Sequence, residues 1–178
     1  FFQKSLVAMA FPAVVMIVYI AFRFRRIGGW SAGCMAVLAL LHDSIMVFAT
    51  FVFLRIPLDD NFVAAVLTIL GYSINNTIVI YDRIRENRRL YGRSMPLEQL
   101  VNDSINQTLK RSVRTTVSTM LTLVVMCVMA GIYQVSSILT FCIPLLVGLT
   151  AGLFSSVCLV GPLWTMWQAH ASGKKKKA

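Results

Sequence analysis

Five stretches of about 18 or more mostly apolar residues follow one another in this chain, and each is long enough to cross the roughly 30 Å hydrocarbon core of a bilayer as a helix. They cover about residues 5–24, 30–54, 61–81, 113–132 and 137–161. The last reads on to Trp167, and Pro162 is expected to bend or end it near the inner interface. In lipid an unpaired backbone amide costs several kcal/mol, so these runs must be helical. No segment alternates with period two, which argues against strands. A mean hydropathy of +0.73 with 13% charged residues is too apolar for one soluble domain of 178 residues. The expected fold is therefore all-α: a polytopic integral membrane helix bundle, with residues 1–178 forming one transmembrane domain.

The net charge of +10 raises the question of nucleic acid, and its placement answers it. Arg23, Arg25 and Arg26 lie between the first two runs. Arg83, Arg85, Arg88, Arg89, Arg93, Lys110, Arg111 and Arg114 lie between the third run and the start of the fourth, and residues 174–177 are all Lys. Fifteen of the seventeen basic residues thus fall on one side, leaving Lys4 and Arg55 on the other. This is the positive-inside pattern, so the amino end and the loops near 55–60 and 132–136 are expected outside and the carboxyl end in the cytoplasm. Nucleic acid is not an expected partner, because the charges flank spans instead of forming one aromatic-interleaved stripe. Cys34, Cys127, Cys142 and Cys158 fall inside spans without metal-ligand spacing and read as small packing residues; no metal or cofactor is expected. In the first run the basic cluster follows the apolar stretch, which is the wrong order for a signal peptide, so that run is expected to be retained.

The two short outer loops predict antiparallel helical hairpins. The long inner connection, 82–112, carries Ser94 and Pro96 as a helix opening, then Leu97, Leu100, Val101, Ile105 and Leu109 on one face. That pattern fits an amphipathic helix on the membrane or against the inner end of the bundle, or a solvated connector with a half-buried stripe. Trp30, Tyr81, Trp164 and Trp167 are expected at the inner interface and Tyr133 at the outer one. The basic tail, 168–178, either holds to anionic lipid at about 1 kcal/mol per Lys or acts as a stop signal.

A charge inside the membrane costs about 2.5–3.5 kcal/mol on insertion scales, so polar residues within the runs need reasons. Asp43 stands near the middle of the second run and shares a helical face with Gly33, Ala36, Ala39 and Thr50. Those small residues admit a neighbouring helix, so Asp43 is expected to point into the bundle, where low-dielectric surroundings let a carboxyl bind and release a proton. His42 lies about 100° around the helix from it. On the third run Thr68, Gly71 and Asn75 share a small polar face that Ser73 and Asn76 widen, and on the fourth Thr115, Ser118, Thr119 and Thr122 form one arc below Arg111. Gly148, Ala151, Gly152 and Ser155 form a close-packing face on the fifth. The plainer reading of the hydroxyls and amides is interhelical hydrogen bonding, worth about 0.6 kcal/mol each. Clustering would place Asn75 or Asn76 near Asp43, with the third and fourth spans against the second and Arg111 at the cytoplasmic mouth.

Residues 71–87, Gly-Tyr-Ser-Ile-Asn-Asn-Thr-Ile-Val-Ile-Tyr-Asp-Arg-Ile-Arg-Glu-Asn, resemble the signature of the SecF family, GYS-x-N-D-T followed by a hydrophobic stretch and DRIRE. Leu41-His42-Asp43 resembles the family's LHD, and Asn106-Gln107-Thr108-Leu109-Lys110-Arg111 with Thr115 and Thr116 resembles its N-x-T-L-x-R…T-S block. The resemblance implies an RND-type half that associates with SecD, separate or fused, and assists export of a translocating preprotein through the SecYEG channel, using proton or sodium flow across a bacterial or archaeal cytoplasmic membrane. It implies that the chain matches the last five helices of the SecF half, as part of a longer protein with a first helix and an outer domain. Asp43, as the protonatable group, together with His42, Ser73, Asn75, Asn76, Arg111, Thr115 and Thr119, forms the set expected to couple ion movement. One departure stands out: Asn76 occupies the position where the family usually has Asp, and an amide cannot carry a proton.

Enzymatic alternatives fit poorly. An aspartyl protease needs two acids sharing a proton, and one is present; a serine hydrolase elbow, Gly-x-Ser-x-Gly, does not occur. No catalytic activity is expected. A purely structural helix bundle that stabilises a translocase or transporter is the stronger rival, and it predicts that Asp43→Asn has little effect.

Overall fold

A computed structural model of the chain describes residues 29–92 and 94–175, with side chains as far as His170, and six helical positions of the first run: Phe11, Val14, Val15, Val18, Tyr19 and Phe22. The rest of the expected span at 5–24, and Arg23, Arg25 and Arg26 after it, lie outside the described residues. Every described element is helical: α1 (Gly29–Phe53), α2 (Asp60–Tyr91), α3 (Leu97–Ile132), α4 (Ser136–Phe154), a π-helical turn (Ser155–Val160) and α5 (Gly161–Lys175). Among the described residues, four continuous helical paths are long and apolar enough to cross a membrane, the last joining α4, the π turn and α5.

The helices outrun the apolar stretches, for identifiable reasons. Asp59 caps α2, its carboxylate accepting the backbone N–H of Asn61 at 3.0 Å, and Gly92 ends α2 in the left-handed region at φ 59°, its N–H bonding the Arg88 carbonyl. Between them the polar stretch after Tyr81 stays helical. Arg85 reaches Asp82 at 3.2 Å and Arg83 reaches Glu86 at 2.6 Å, both one turn along. Beyond Pro96, α3 runs unbroken from Leu97 to Ile132, so the connector's amphipathic stripe and the fourth apolar run are one helix of 36 residues. Nor does the chain end its last helix at Pro162. Pro lacks the N–H that an α-helix would bond to the carbonyl four residues back, and the π turn just before it absorbs that missing bond while the helix carries on.

Helix α4 lies at the centre, in contact with α1, α2 and α3, while α1 and α3 share little direct contact. Glycine permits this: a Cβ on Gly148 would lie 2.6 Å from Ile69 Cγ1 and 2.9 Å from Val47 Cγ2, inside van der Waals distance of both neighbours. At the end near the α1–α2 loop Phe51 and Phe62 meet edge to face with centroids 5.2 Å apart. At the opposite end Tyr81 and Trp164 do the same at 6.3 Å. The latter two rings are fully buried: the Tyr81 hydroxyl donates to the Ala32 carbonyl at 3.0 Å and Trp164 Nε1 to Ser31 Oγ at 3.2 Å. Tyr81 and Trp164 are therefore core residues, whereas Trp30 and Trp167 are exposed as interfacial residues would be. Below them a clamp joins α2 and α3. Asn87 Nδ2 donates to Ser104 Oγ at 2.8 Å and to Gln107 Oε1 at 3.0 Å, and Arg83 Nε donates to the same Gln107 oxygen.

Candidate functional site

Among the described residues Asp43 is the one acid buried in the bundle, and it has no solvent-accessible surface. Ala36, Ala39, Leu40 and Val47 on its own helix are buried beside it, so this stripe of α1 faces inward, as the small residues of the sequence require. Three donors converge on the carboxylate. Ser73 Oγ of α2 donates to Oδ2 at 2.5 Å, Ser155 Oγ of the π turn to the same oxygen at 2.9 Å, and His42 Nδ1 lies 3.0 Å from Oδ1. A carboxylate accepting several charge-assisted bonds is held in place by three separate helical segments, and each bond is stronger than its neutral counterpart. Gly152 completes the walls, since a Cβ there would stand 3.6 Å from Oδ2 and 3.4 Å from the Ser73 Cβ, in ordinary contact.

A second polar layer lies one turn inward. Ser156 Oγ donates to the Ser73 carbonyl at 3.4 Å and lies 3.3 Å from Thr77 Oγ1. Asn76, also on α2, is buried, and its amide nitrogen has no hydrogen-bond partner. Such a buried donor must be offset by something else, typically water. His42 is part-exposed and tilts against the Phe154 ring at 6.5 Å, so it links the buried carboxylate to the bundle's surface.

The structure thus brings together Asp43, His42 and Ser73 from the sequence-derived set, and buries Asn76 on the same helix as Ser73. It does not bring in the others. Asn75 is exposed on the face of α2 that also carries Thr68 and Gly71, and a Cβ on Gly71 would meet nothing within 4 Å. Arg111 and Thr115 are exposed on α3, and Thr119 is only half-buried. The inward arc of α3 is instead Ser104, Thr108, Ser112 and Thr116, the last accepting the Tyr72 hydroxyl at 2.6 Å. The outward threonines satisfy themselves: Thr115 Oγ1 bonds the Arg111 carbonyl and Thr119 Oγ1 the Thr115 carbonyl, each at 3.0 Å and one turn back. The helix laid against Asp43 is also not the expected fourth span but the fifth, and its contribution, Ser155, was read from the sequence only as part of a packing face.

Comparison with known proteins agrees with this bundle. A family model described as "Protein export membrane protein SecD/SecF, C-terminal" matches residues 1–170. The protein translocase subunit SecF of Sebaldella termitidis is 40% identical over 161 residues, 90% of this chain and 50% of that protein. The SecF of Alicyclobacillus acidocaldarius is 38% identical over 97% of this chain and 54% of its own length. The chain therefore spans about half the length of these curated relatives. The crystal structure of SecDF, a translocon-associated membrane protein from Thermus thermophilus, superposes with a TM-score of 0.85 at 36% identity, covering 94% of this chain and 22% of that one. A chain with these membrane-length helices, matched almost end to end, is a multi-pass membrane protein and belongs to the SecD/SecF family of protein-export membrane proteins.

Proposed function

We propose that this chain is the membrane part of a SecF-type auxiliary subunit of the Sec protein translocase, in which ion movement through the bundle assists export of a preprotein through SecYEG. The observation that carries this reading is a fully buried carboxyl, Asp43, held by donors from three helical segments in a bundle of translocase-family architecture. An acid kept at that depth is costly and is retained where it does work, and the membrane potential acts on it with about 2.3 kcal/mol per charge per 100 mV. Asp43 is the group we assign to bind and release the ion, with His42 and Ser73 as its ligands and buried Asn76 orienting water or a cation beside it.

SecD is the natural partner, since relatives named SecDF join the two halves in one chain. The exposed face formed by Thr68, Gly71 and Asn75 supports a helix docking from outside: its glycine leaves open space and its Asn has no use for lipid. Neutral Asn76, in the family acid's place, favours a second reading in which this half stabilises the translocase and the ion passes elsewhere.

Vesicles containing the translocase, with and without the complete SecDF assembly that includes this chain, separate the two. Export beyond the ATP-driven level should rise when a proton or sodium gradient is imposed, only with the assembly present, and collapse on adding the matching ionophore. An increment that ignores the ionophore would leave the stabilising role alone. In whole cells the basic loops predict the orientation. A membrane-impermeant thiol reagent applied from the outside should label Cys placed at Asp59 or Gln134 and spare Cys placed at Arg89; the opposite pattern would invert the topology.

A further inference from the structure

Ser155 is the first residue of the π-helical turn, and its hydroxyl has two acceptors in reach: Asp43 Oδ2 at 2.9 Å and the Gly152 carbonyl of its own helix at 3.2 Å. A π turn carries one residue more than an α-helical path needs, and such turns occur mostly where a function depends on them. Here the extra residue aims two successive hydroxyls into the bundle, Ser155 at Asp43 and Ser156 at the Ser73 carbonyl. The lower end of the turn is fixed by covalent structure. Pro162 has no N–H to give the Cys158 carbonyl that an α register would require, and Gly161 seats against α3, where a Cβ would lie 2.5 Å from Ile105 Cδ1. The upper end is fixed by the hydrogen bond to the carboxylate. The groups that meet Asp43 are the His42 imidazole on α1, the Ser73 hydroxyl on α2 and the Ser155 hydroxyl; among the described residues α3 sends no charged or titratable side chain to it.

We propose that Ser155 is a positioning residue that couples the charge on Asp43 to the register of the π turn. With Asp43 ionised, both serine hydroxyls donate to Oδ2 and the turn is pinned. When Oδ2 takes up a proton it becomes the donor and Ser155 keeps its own hydrogen, now turned to the Gly152 carbonyl. One proton is gained from outside the site and no other bond is made or broken covalently. The charge-assisted bond that pinned the turn is thereby reversed into a weaker neutral one, and residues 155–160 shift register, re-aiming Ser156 and the exposed Cys158. This rests on the reading of Asp43 as the protonated group, and the test separates the two.

The assay uses the complete SecDF assembly in vesicles, with Cys34, Cys127 and Cys142 replaced by Ala and a spin label on Cys158. The infrared carboxyl band of Asp43, identified by its loss in Asp43→Asn, and the label spectrum are followed across the same pH range. In the parent protein both should change with one midpoint. In Ser155→Ala the carboxyl should still titrate while the label's two-state equilibrium responds at least about tenfold less, the bias that one hydrogen bond to a carboxylate supplies. Ser155→Thr, which keeps the hydroxyl, should restore the response. A label that follows pH equally well in Ser155→Ala, or stays still in the parent while Asp43 titrates, overturns the coupling role. An Asp43 band that does not titrate in the parent overturns the ion-coupling reading and this proposal with it.

Discussion

Asp43→Asn should remove the gradient-dependent part of export, by about tenfold or more, while leaving the bundle assembled. The substitution keeps the size of the side chain, and its hydrogen bonds can be rebuilt: the amide oxygen still accepts from His42 Nδ1, and the amide nitrogen donates to the serine hydroxyls once Ser155 turns toward the Gly152 carbonyl. Asn therefore imitates the neutral acid, and its cost to stability should stay within about 1–2 kcal/mol. What it cannot do is change charge, and a bundle that holds no movable charge gains nothing from the membrane potential. Asp43→Leu is the harsher comparison, because it leaves the buried Ser73 hydroxyl without its acceptor, at about 1–3 kcal/mol, and removes the partner of His42 as well, so it should lower yield and stability as well as export. The measurement is export in vesicles with and without an imposed gradient, beside the amount of folded assembly. Unchanged gradient dependence in Asp43→Asn would make the carboxyl a structural residue and move coupling to the SecD half.

Gly148→Leu should be the most damaging single change in the packing. Gly148 meets two helices at once, and even a Cβ would stand 2.6 and 2.8 Å from Ile69 and 2.9 Å from Val47. Neither neighbour has room to swing aside, for Ile69 and Val47 are both buried in the core. Ala alone should cost about 1–3 kcal/mol by overpacking, and Leu more, because α4 must back away from α1 and α2 together. Backing away also draws Ser155 off Asp43, so the same variant should lose gradient-dependent export. Gly71→Leu is the control: with nothing within 4 Å of its Cβ, it should leave the stability of the isolated chain within about 0.5 kcal/mol of the parent. Denaturant unfolding in detergent compares the three directly, and a Gly148→Leu protein as stable as the parent would mean that the helices do not meet there.

Hydropathy finds the four membrane-length helices of the described residues, because the cost of an unpaired amide in lipid leaves helices as the answer wherever the apolar run is long enough. Asp43 was legible too, since a carboxylate cannot face lipid cheaply and the alanines beside it marked the close side of its helix. The threonines misled for a physical reason. A Thr or Ser on a helix can bond the carbonyl one turn back, as Thr115, Thr119 and Thr122 do, so its hydroxyl needs no inward partner and its face carries little information. Asn75 and Asn76 differ by one residue, about 100° of helix, and the sequence alone does not say which side meets its own bundle and which a partner. Ser155 stands in phase with Gly148 and Gly152 and so reads as packing, whereas Ser156 is hidden by the π turn, because one extra residue puts the 3.6-residue count out of phase beyond Ser155. The turn's one local trace, Pro162, points equally to a bend or an end.

The clamp between Asn87, Ser104 and Gln107 has a mechanical consequence. It bolts α2 to α3 near the end of the bundle where Gly92 closes α2, whereas from Val117 to Met129 α3 presents exposed or half-buried residues throughout. A rod fastened at one end moves most at the other. At about 1.5 Å per residue, Ile132 stands roughly 37 Å beyond Gln107, so a tilt of about 5° at the bolt carries the far tip through about 3 Å. Small rearrangements near the buried carboxyl would therefore arrive magnified at the Ile132 end of the bundle, as leverage rather than as a change in the helix itself.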